Sequence, residues 1–414
     1  MIFLISATAL IVFAGLGKGL FGSLDSPFCL YSIAWMGMIS LFGLNLVEYI
    51  AIEPGTWWAI STSFGAFLLG ACSLGPLFCR TLHQPTGNHL WVDDERLNLL
   101  LWTGLLLSAL GLGLQVAHLE KTMGVSLLWT DPVQARKLHS YIPYFGYLNL
   151  LNVPSAALAT FSLIYTRRWH LVHALIYVSA FVSGLLTTDR TRLFYTVIWC
   201  FFVWFHAAMG SRWTFQKAVQ VGVVVLTLIC AFIFIGKHFE RRYSNRYSDL
   251  LHFPSHLTVL ADPYIYLTGS IPAFQELMAR NEERLNGRMT LLPILPLIKP
   301  LEKELEIPSL QGELYYVPME LNTYSYLQQF FLDFGHWGLF FGPFFCGFFT
   351  TWIYSQWRRQ RSFLYLYWAS LMSFCLFISI FVNFFTQQAT WFFLGLGWIC
   401  HIVLKGSRSA TSLN

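Results

Sequence analysis

The segment SGLLTTDRTRLFYTVIW, residues 183–199, joins two apolar runs through a short charged turn. Each run is close to the length that a helix needs to cross about 30 Å of hydrocarbon. Asp189, Arg190 and Arg192 fall between them, within four positions. Only helices or closed barrels satisfy their backbone hydrogen bonds inside a membrane, so this pattern predicts a helical hairpin.

Apolar runs separated by polar or charged connections recur along the whole chain of 414 residues. The chain is 56% hydrophobic and only 11% charged. Soluble domains carry about 25% charged residues, so the composition predicts a membrane protein. The fold expected is all-α, a single membrane-embedded domain over 1–414 with about 11 transmembrane helices. The predicted spans are 2–17, 27–51, 57–79, 97–118, 143–166, 171–187, 193–209, 218–236, 336–356, 363–384 and 391–404.

The distribution of basic residues predicts the orientation of these spans. The first run has no basic segment before it and no clear cleavage site, so we expect a retained span. With the N-terminus outside and the C-terminus in the cytoplasm, every short cytoplasmic connection is basic, as the positive-inside rule requires. These residues are Lys18, Arg80, Arg96, Arg167, Arg168, Arg212, Lys217, Arg358, Arg359, Arg361, Lys405 and Arg408. The net charge of +5 is therefore no sign of nucleic-acid binding.

Several arginines are predicted to lie on the outer side, and in the short connections the positive-inside rule disfavours them. They are Arg136, Arg190 and Arg192 in short connections, and Arg241 and Arg242 at the start of a long one. Single arginines there could reach lipid headgroups. A group of them predicts an anion site, because guanidinium presents paired donors that match phosphate oxygens.

Residues 237–335 form the one long polar connection, predicted to be a structured extracytoplasmic lid with short helices. Within it, SIPAFQELMARNEERL (residues 270–285) has apolar residues at helical spacing and predicts an amphipathic helix. The connection ends at Asp333, followed by Gly335, Gly338, Gly342 and Gly347. Such a glycine-lined span predicts close packing on a neighbour, with Asp333 either capping the helix start or acting in catalysis.

The sequence lacks the motifs of several common enzyme classes. It has no P-loop, Rossmann fingerprint, HExxH or nucleophile elbow. The eight cysteines form no CxxC pair and lie in or beside apolar runs, so neither disulfides nor a zinc site is expected. We therefore expect no metal and no cofactor.

Four stretches together resemble one family. They are ARKLHSYIPYFGYL (135–148), SGLLTTDRTRLFYTVIW (183–199), DPYIYLTGSIPAF (262–274) and NTYSYLQQFFLDFGHWGLFFGPFFCGFF (322–349). They are similar to the bacterial oligosaccharide repeat-unit polymerases, or O-antigen (Wzy-type) polymerases. The resemblance covers roughly residues 115–356 and preserves the order of the motifs.

This resemblance implies a metal-independent glycosyltransferase of the bacterial inner membrane, acting on its outer face. It would transfer a polyprenyl-pyrophosphate-linked glycan onto a second lipid-linked repeat unit, building a surface polysaccharide. The pyrophosphate would be bound by Arg136, Arg190, Arg192, Arg241 and Arg242. Candidate catalytic bases by position are Asp333, His336 and Asp262, and candidate sugar-stacking residues are Tyr264, Tyr266 and Tyr324.

Two other functions stay open on the sequence alone. A polysaccharide ligase would use the same donor chemistry with a different acceptor. A flippase for lipid-linked oligosaccharides would instead place ionisable residues at mid-membrane, whereas here they gather at span ends. The partners expected are the lipid-linked donor and acceptor, membrane lipids and a chain-length regulator.

Overall fold

The computed structural model describes residues 1–79, 92–131, 134–135, 138, 146–186, 190–208, 215–238, 247–280, 283–299, 307–308, 315–317, 319–321 and 324–405. The structure is 79% helical, which confirms the all-α class predicted from the sequence. The strands described are β1 (Tyr315–Tyr316) and β2 (Glu320–Leu321), paired antiparallel.

The helices follow the apolar runs in order. They are α1 (Ile2–Phe21), α2 (Pro27–Phe42), α3 (Pro54–Cys79), α4 (Asp94–Thr122), α5 (Leu127–Thr130), α6 (Gly146–Leu150), α7 (Asn152–Thr166), α8 (Leu171–Leu186), α9 (Arg190–Ala208), α10 (Phe215–His238), α11 (Ala261–Thr268), α12 (Ser270–Ala279), α13 (Leu295–Ile298), α14 (Leu327–Gln360), α15 (Phe363–Ile378) and α16 (Gln388–Lys405). Short 3-10 helices cover Ser248–Leu250 and Ser255–Leu260.

Four helical segments within the described residues are long and apolar enough to cross a membrane. They are Ile2–Phe21, Pro54–Leu74, Asp94–Thr122 and Gly146–Thr166. Shorter apolar helices include Pro27–Phe42, Leu171–Leu186, Val219–Phe234 and Phe363–Ile378. By their length and composition, these apolar helices indicate a membrane protein.

The chain forms two compact units, each assembled from separate stretches of sequence. Unit 1 comprises Met1–Asn88, Arg242–Arg361 and Leu371–Leu394. Unit 2 comprises His89–Arg241, Ser362–Ser370 and Gly395–Asn414.

Unit 1 is organised around the contact between α3 and α14. A Cβ added at Gly70 of α3 would overlap the carbonyl oxygen of Phe344, and one added at Gly347 of α14 would overlap that of Phe67. The two backbones therefore touch through reciprocal glycines, as small residues permit in membrane helices. Close packing of the glycine-lined span, predicted from the sequence, is confirmed here.

Buried polar side chains join the other helices of unit 1. The Tyr31 and Tyr326 hydroxyls lie 2.8 Å apart, and Trp35 Nε1 donates to Ser379 Oγ at 3.0 Å. Tyr354 near the end of α14 donates to Asp25, which is fully buried in the α1–α2 turn. Each polar group thus has a partner in the core, which offsets the cost of its burial.

Helix α2 ends at Phe42, although the predicted span ran to residue 51. Asn45 takes a left-handed backbone conformation (φ 54°), which stops the helix. The chain then pairs briefly with residues 250–252, with Glu48 N–H donating to Leu250 O and His252 N–H to Leu46 O. Backbone groups that the sequence assigned to a span are instead bonded to this later segment.

Helix α12 also stops short of the predicted 270–285, ending at Ala279. Its apolar side is buried as expected, at Phe274 and Leu277. Its Gln275 anchors it over the start of α3, because Oε1 accepts from Glu53 N–H at 2.7 Å. Leu285 lies beyond the helix and its N–H donates to Leu332 O at 2.9 Å, which directs the chain toward α14.

Candidate functional site

Arg192, from the charged turn between two apolar runs, lies in the first turn of α9 in unit 2. Its side chain is half-buried, and Nη1 donates to Ser183 Oγ of α8 at 3.3 Å. Arg190 begins α9, but its side chain lies outside the described residues. Arg192 therefore contacts the preceding helix, α8.

Ser183 belongs to a buried set of polar side chains, which we call the asparagine–serine network: Asn149, Asn152, Ser179 and Ser183. Ser183 Oγ donates to Asn149 Oδ1 at 2.8 Å, and Ser179 Oγ donates to Asn152 Oδ1 at 2.6 Å. Asn152 Nδ2 donates to Asn149 O at 3.0 Å and to its Oδ1 at 3.2 Å. The network therefore links the α6–α7 segment to α8, and through Ser183 to Arg192.

Glycines allow the helices around this network to approach closely. A Cβ at Gly111 of α4 would overlap the backbone N of Asn149, and one at Gly184 of α8 would overlap the Leu193 side chain of α9. Pro154 follows the break between α6 and α7 and lies in the first turn of α7, where proline is tolerated. A backbone contact thereby fixes the position of Asn149, and a side-chain contact fixes that of the start of α9.

One donor of the network is unmatched. Asn149 is 1% exposed, and its Nδ2 has no hydrogen-bond partner in the part of the chain that the structure describes. A buried donor left without a partner costs about 1–3 kcal/mol. The network is therefore not optimised for stability alone.

Unit 1 contains a second polar region, at an interruption of α14. Gly335 has φ 60° and ψ −139°, outside the helical region and close to one that essentially only glycine occupies. Arg284 lies against it: the guanidinium stacks 4.4 Å from the Phe331 ring centroid, and Nη1 donates to Phe331 O at 3.0 Å. A Cβ at Gly335 would lie 3.3 Å from Arg284 Nε.

Asp333 is 1% exposed and accepts three hydrogen bonds from the turn ahead of it. Its Oδ1 accepts from Met289 N–H at 3.0 Å, and its Oδ2 accepts from Thr290 N–H and Thr290 Oγ1, both at 2.6 Å. Asp333 therefore ties the 285–290 turn to α14, whereas the sequence predicted a cap of its own helix. The predicted role as a base is not favoured by a carboxylate with both oxygens already bonded.

We expect Asp333→Ala to lower the free energy of unfolding by about 3 kcal/mol, because one buried and two part-buried donors lose their acceptor. The measurement is thermal or denaturant unfolding of the purified protein in detergent. Asp93→Ala is the control, since Asp93 is the half-buried N-cap of α4, paired with Arg96 at 3.3 Å, and its loss should cost about 1 kcal/mol. Unchanged stability of Asp333→Ala, with activity lost, would instead support a catalytic role.

His336 follows the kink directly and is exposed. Its ring centroid lies 5.7 Å from that of Phe331, in an edge-to-face contact. The Arg284 guanidinium stacks on the same Phe331 ring. Within the described residues, neither ring nitrogen of His336 has a hydrogen-bond partner. Trp337 beside it is 73% exposed and presents a large apolar face.

Two of the predicted sugar-stacking tyrosines lie in the core of unit 1. Tyr264 Oη donates to Leu41 O at 2.8 Å, and burial raises the pKa of its phenol above the usual value. The Tyr324 ring is fully buried, edge-on to Tyr315 at 5.1 Å. Tyr266 is half-buried, and Asp262 is buried in the first turn of α11. Of these tyrosines, only Tyr266 retains surface on which a sugar could stack.

The predicted pyrophosphate and catalytic residues do not belong to one unit. Arg190 and Arg192 are in unit 2, whereas Asp333, His336 and Asp262 are in unit 1. Arg136, Arg241 and Arg242 lie outside the described residues. Sequence reasoning missed Arg284 as a site residue, because its partner glycine is 51 positions away. It also missed the asparagine–serine network, for which polar residues at helical spacing inside apolar runs were the available signal.

Among the residues that the structure describes, no three His, Cys, Asp or Glu side chains come together as a metal site would require. No protein-family model, no curated protein and no solved structure matches this chain.

Proposed function

We propose that this protein is a membrane glycosyltransferase that polymerises polyprenyl-pyrophosphate-linked oligosaccharide repeat units on the outer face of the bacterial inner membrane. In this proposal the N-terminus is outside, the C-terminus is cytoplasmic and residues 237–335 form the extracytoplasmic lid. The alternative enzyme is a polysaccharide ligase, with the same donor and another acceptor.

The observation that carries the proposal is the arrangement of Arg284, Gly335 and His336 at the interruption of α14. Arg284 is exposed, and within the described residues no carboxylate neutralises it. Its guanidinium stacks on the Phe331 ring and donates one hydrogen bond to Phe331 O. These two contacts orient its remaining donors. An oriented guanidinium without a carboxylate partner among the described residues, and an exposed imidazole that contacts the same Phe331 ring, suit an anionic ligand such as pyrophosphate.

The reaction proposed joins two lipid-linked glycans. A hydroxyl oxygen of the acceptor sugar attacks the anomeric carbon of the donor, while the bond from that carbon to the phosphate oxygen breaks. The electron pair leaves with the polyprenyl pyrophosphate, and cationic donors such as Arg284 stabilise its charge as it develops. The hydroxyl proton passes to a base. His336 suits this role better than Asp333, because its ring is exposed and without a partner among the described residues.

Resemblance of the four motif stretches to the polymerase family supports the same conclusion. The stretch that holds Asp333, Gly335 and His336 is one of the four, and Arg192 lies in another. Arg284 lies between the third and fourth motifs, inside the region that the resemblance covers.

We expect Arg284→Ala to reduce polymer formation by about 10²-fold, the usual effect of removing one donor that stabilises transition-state charge. Arg284→Lys should recover part of the activity, since it keeps the charge but not the planar donors. The control is Arg168→Ala, an exposed arginine on the predicted cytoplasmic side with the same loss of charge. Full-length polymer from Arg284→Ala at wild-type expression would contradict this role.

The products of a strain that lacks the protein distinguish the enzyme classes. Accumulated single lipid-linked repeat units are expected for a polymerase. Finished but unattached polymer would indicate the ligase, and loss of outward-facing lipid-linked units would indicate a flippase.

A further inference from the structure

From the interruption at Gly335 onward, α14 carries a row of exposed aromatic side chains, which we call the aromatic stripe. Its members are Phe334, Trp337, Phe341, Phe345, Phe349 and Trp352. Their spacing of three or four residues places them on one face of the helix. Gly347, which contacts α3, is two residues from both Phe345 and Phe349 and therefore lies on the other side. The stripe thus remains accessible while α14 packs on α3.

The stripe differs in composition from the exposed faces of other apolar helices. Every exposed large apolar side chain of α14 is aromatic. On the described parts of α1 and α10 the corresponding side chains are aliphatic, apart from Phe3 and Phe234. Aliphatic surface is enough for contact with lipid tails, and aromatic residues otherwise gather at the two membrane–water interfaces. The stripe instead extends about 22 Å from Trp337 to Trp352, most of the roughly 30 Å of a hydrocarbon core.

Neighbouring rings of the stripe lie close together along the helix. The ring centroids of Trp337 and Phe341 are 6.0 Å apart, with the planes at 22°, and those of Phe345 and Phe349 are 6.4 Å apart. The face of an aromatic ring is partly negative and attracts weakly positive C–H groups. A polyprenyl chain, with a methyl branch and a double bond in each unit, presents such groups along its whole length.

One end of the stripe meets the turn that carries Arg284. A Cβ added at Gly287 would lie 3.3 Å from the Phe334 ring, and one added at Gly335 would lie 3.3 Å from Arg284 Nε. Arg284 and Arg288 are both exposed, and among the described residues neither forms an ion pair with a carboxylate. A long apolar chain with an anionic headgroup therefore matches both the stripe and its cationic end.

We propose that the aromatic stripe binds the polyprenyl chain of the lipid-linked substrate, and that Arg284 and Arg288 bind its pyrophosphate. The inference rests on the proposed function, which supplies a polyprenyl pyrophosphate, and it assigns the apolar part of this ligand to α14. The chain runs along α14 from the anion site and holds the bond that breaks near Arg284 and His336. Binding energy from a part of the substrate that does not react is thereby used to position the part that does.

The test measures binding of undecaprenyl pyrophosphate and of inorganic pyrophosphate to the full-length protein in phosphatidylcholine nanodiscs. Phe341→Leu combined with Phe345→Leu removes two rings and keeps an apolar helix face. This variant should bind undecaprenyl pyrophosphate about tenfold more weakly and inorganic pyrophosphate as the wild type does. The matched control is Phe181→Leu combined with Phe234→Leu, which removes two exposed rings from α8 and α10 and should leave both affinities unchanged.

The remaining arms separate the chain from the headgroup. Arg284→Ala should weaken the binding of both ligands, because both contain the pyrophosphate. Unchanged binding of undecaprenyl pyrophosphate by the Phe341→Leu/Phe345→Leu variant would overturn the role of the stripe, which would then only face bulk lipid. An equal loss of inorganic pyrophosphate binding would also overturn it, since the rings would then support the anion site and not the chain.

Diacylglycerol pyrophosphate has the same headgroup on acyl chains, and its binding should be unaffected by Phe341→Leu combined with Phe345→Leu. An equal weakening for this ligand would make the stripe a general lipid surface and overturn its assignment to the polyprenyl chain. Absence of undecaprenyl pyrophosphate binding by the wild-type protein would count against the proposed function itself.

Discussion

Alanine at Gly70 is expected to lower the free energy of unfolding by about 3 kcal/mol, because its Cβ would overlap a backbone carbonyl of α14. Carbonyl oxygens cannot rotate away as side chains can, so α3 and α14 would have to separate. The loss would extend along the whole interface, where Gly347 makes the reciprocal contact with Phe67. Denaturant unfolding of the purified protein measures the effect.

Gly65→Ala on the same helix is the matched control. A Cβ at Gly65 meets nothing within 4 Å, so the substitution should raise stability by about 0.5 kcal/mol through the lower entropy of the unfolded chain. The two substitutions are chemically identical and opposite in expected sign. Equal effects at both positions would contradict the backbone contact of α3 with α14.

Any side chain at Gly335 is expected to cost about 1–3 kcal/mol in backbone strain and to displace Arg284 as well. Gly335→Ala should therefore lose both stability and polymer formation. Gly335→Asn should not rescue it, because ψ of −139° lies far from the left-handed helical conformation that asparagine tolerates.

Gly22→Asn provides the comparison for Gly335→Asn. Gly22 ends α1 with φ 71° and ψ 0°, near the left-handed helical region, and a Cβ there meets nothing within 4 Å. This substitution should be nearly neutral in unfolding experiments, since asparagine is a common alternative to glycine at such a cap. Tolerance of asparagine at both positions would show that the Gly335 conformation is not required.

Helix positions could be predicted from the sequence because the hydropathy and the length of an apolar run depend only on neighbouring residues. The apolar runs give the helices, and the glycines after Asp333 gave the close packing of α14. The end of α2 was missed because hydropathy stays high beyond Phe42, although Gly43 and Asn45 are residues typical of helix ends. The length of α12 was missed because Leu285 is directed by a backbone bond to Leu332, a contact distant in sequence.

The candidate site was predicted less completely, because it depends on contacts between residues that are distant in sequence. Residue type identified Arg192 and the region of Asp333 and His336, because charges near apolar runs are few. It could not distinguish a buried tyrosine such as Tyr264 from an exposed aromatic such as Trp337, because both lie in largely apolar stretches of sequence. The link from Arg192 to Asn149 depends on tertiary packing, to which no local pattern corresponds.

The bonds between the 285–290 turn and α14 have a consequence for cooperativity. Leu285 bonds Leu332, Arg284 bonds Phe331, and the turn amides bond the Asp333 carboxylate. Opening the turn alone would leave a buried anion without donors, which is more costly than the loss of ordinary surface contacts. We therefore expect the turn and the start of α14 to open as one unit, with the turn amides exchanging hydrogen as slowly as those of the helix.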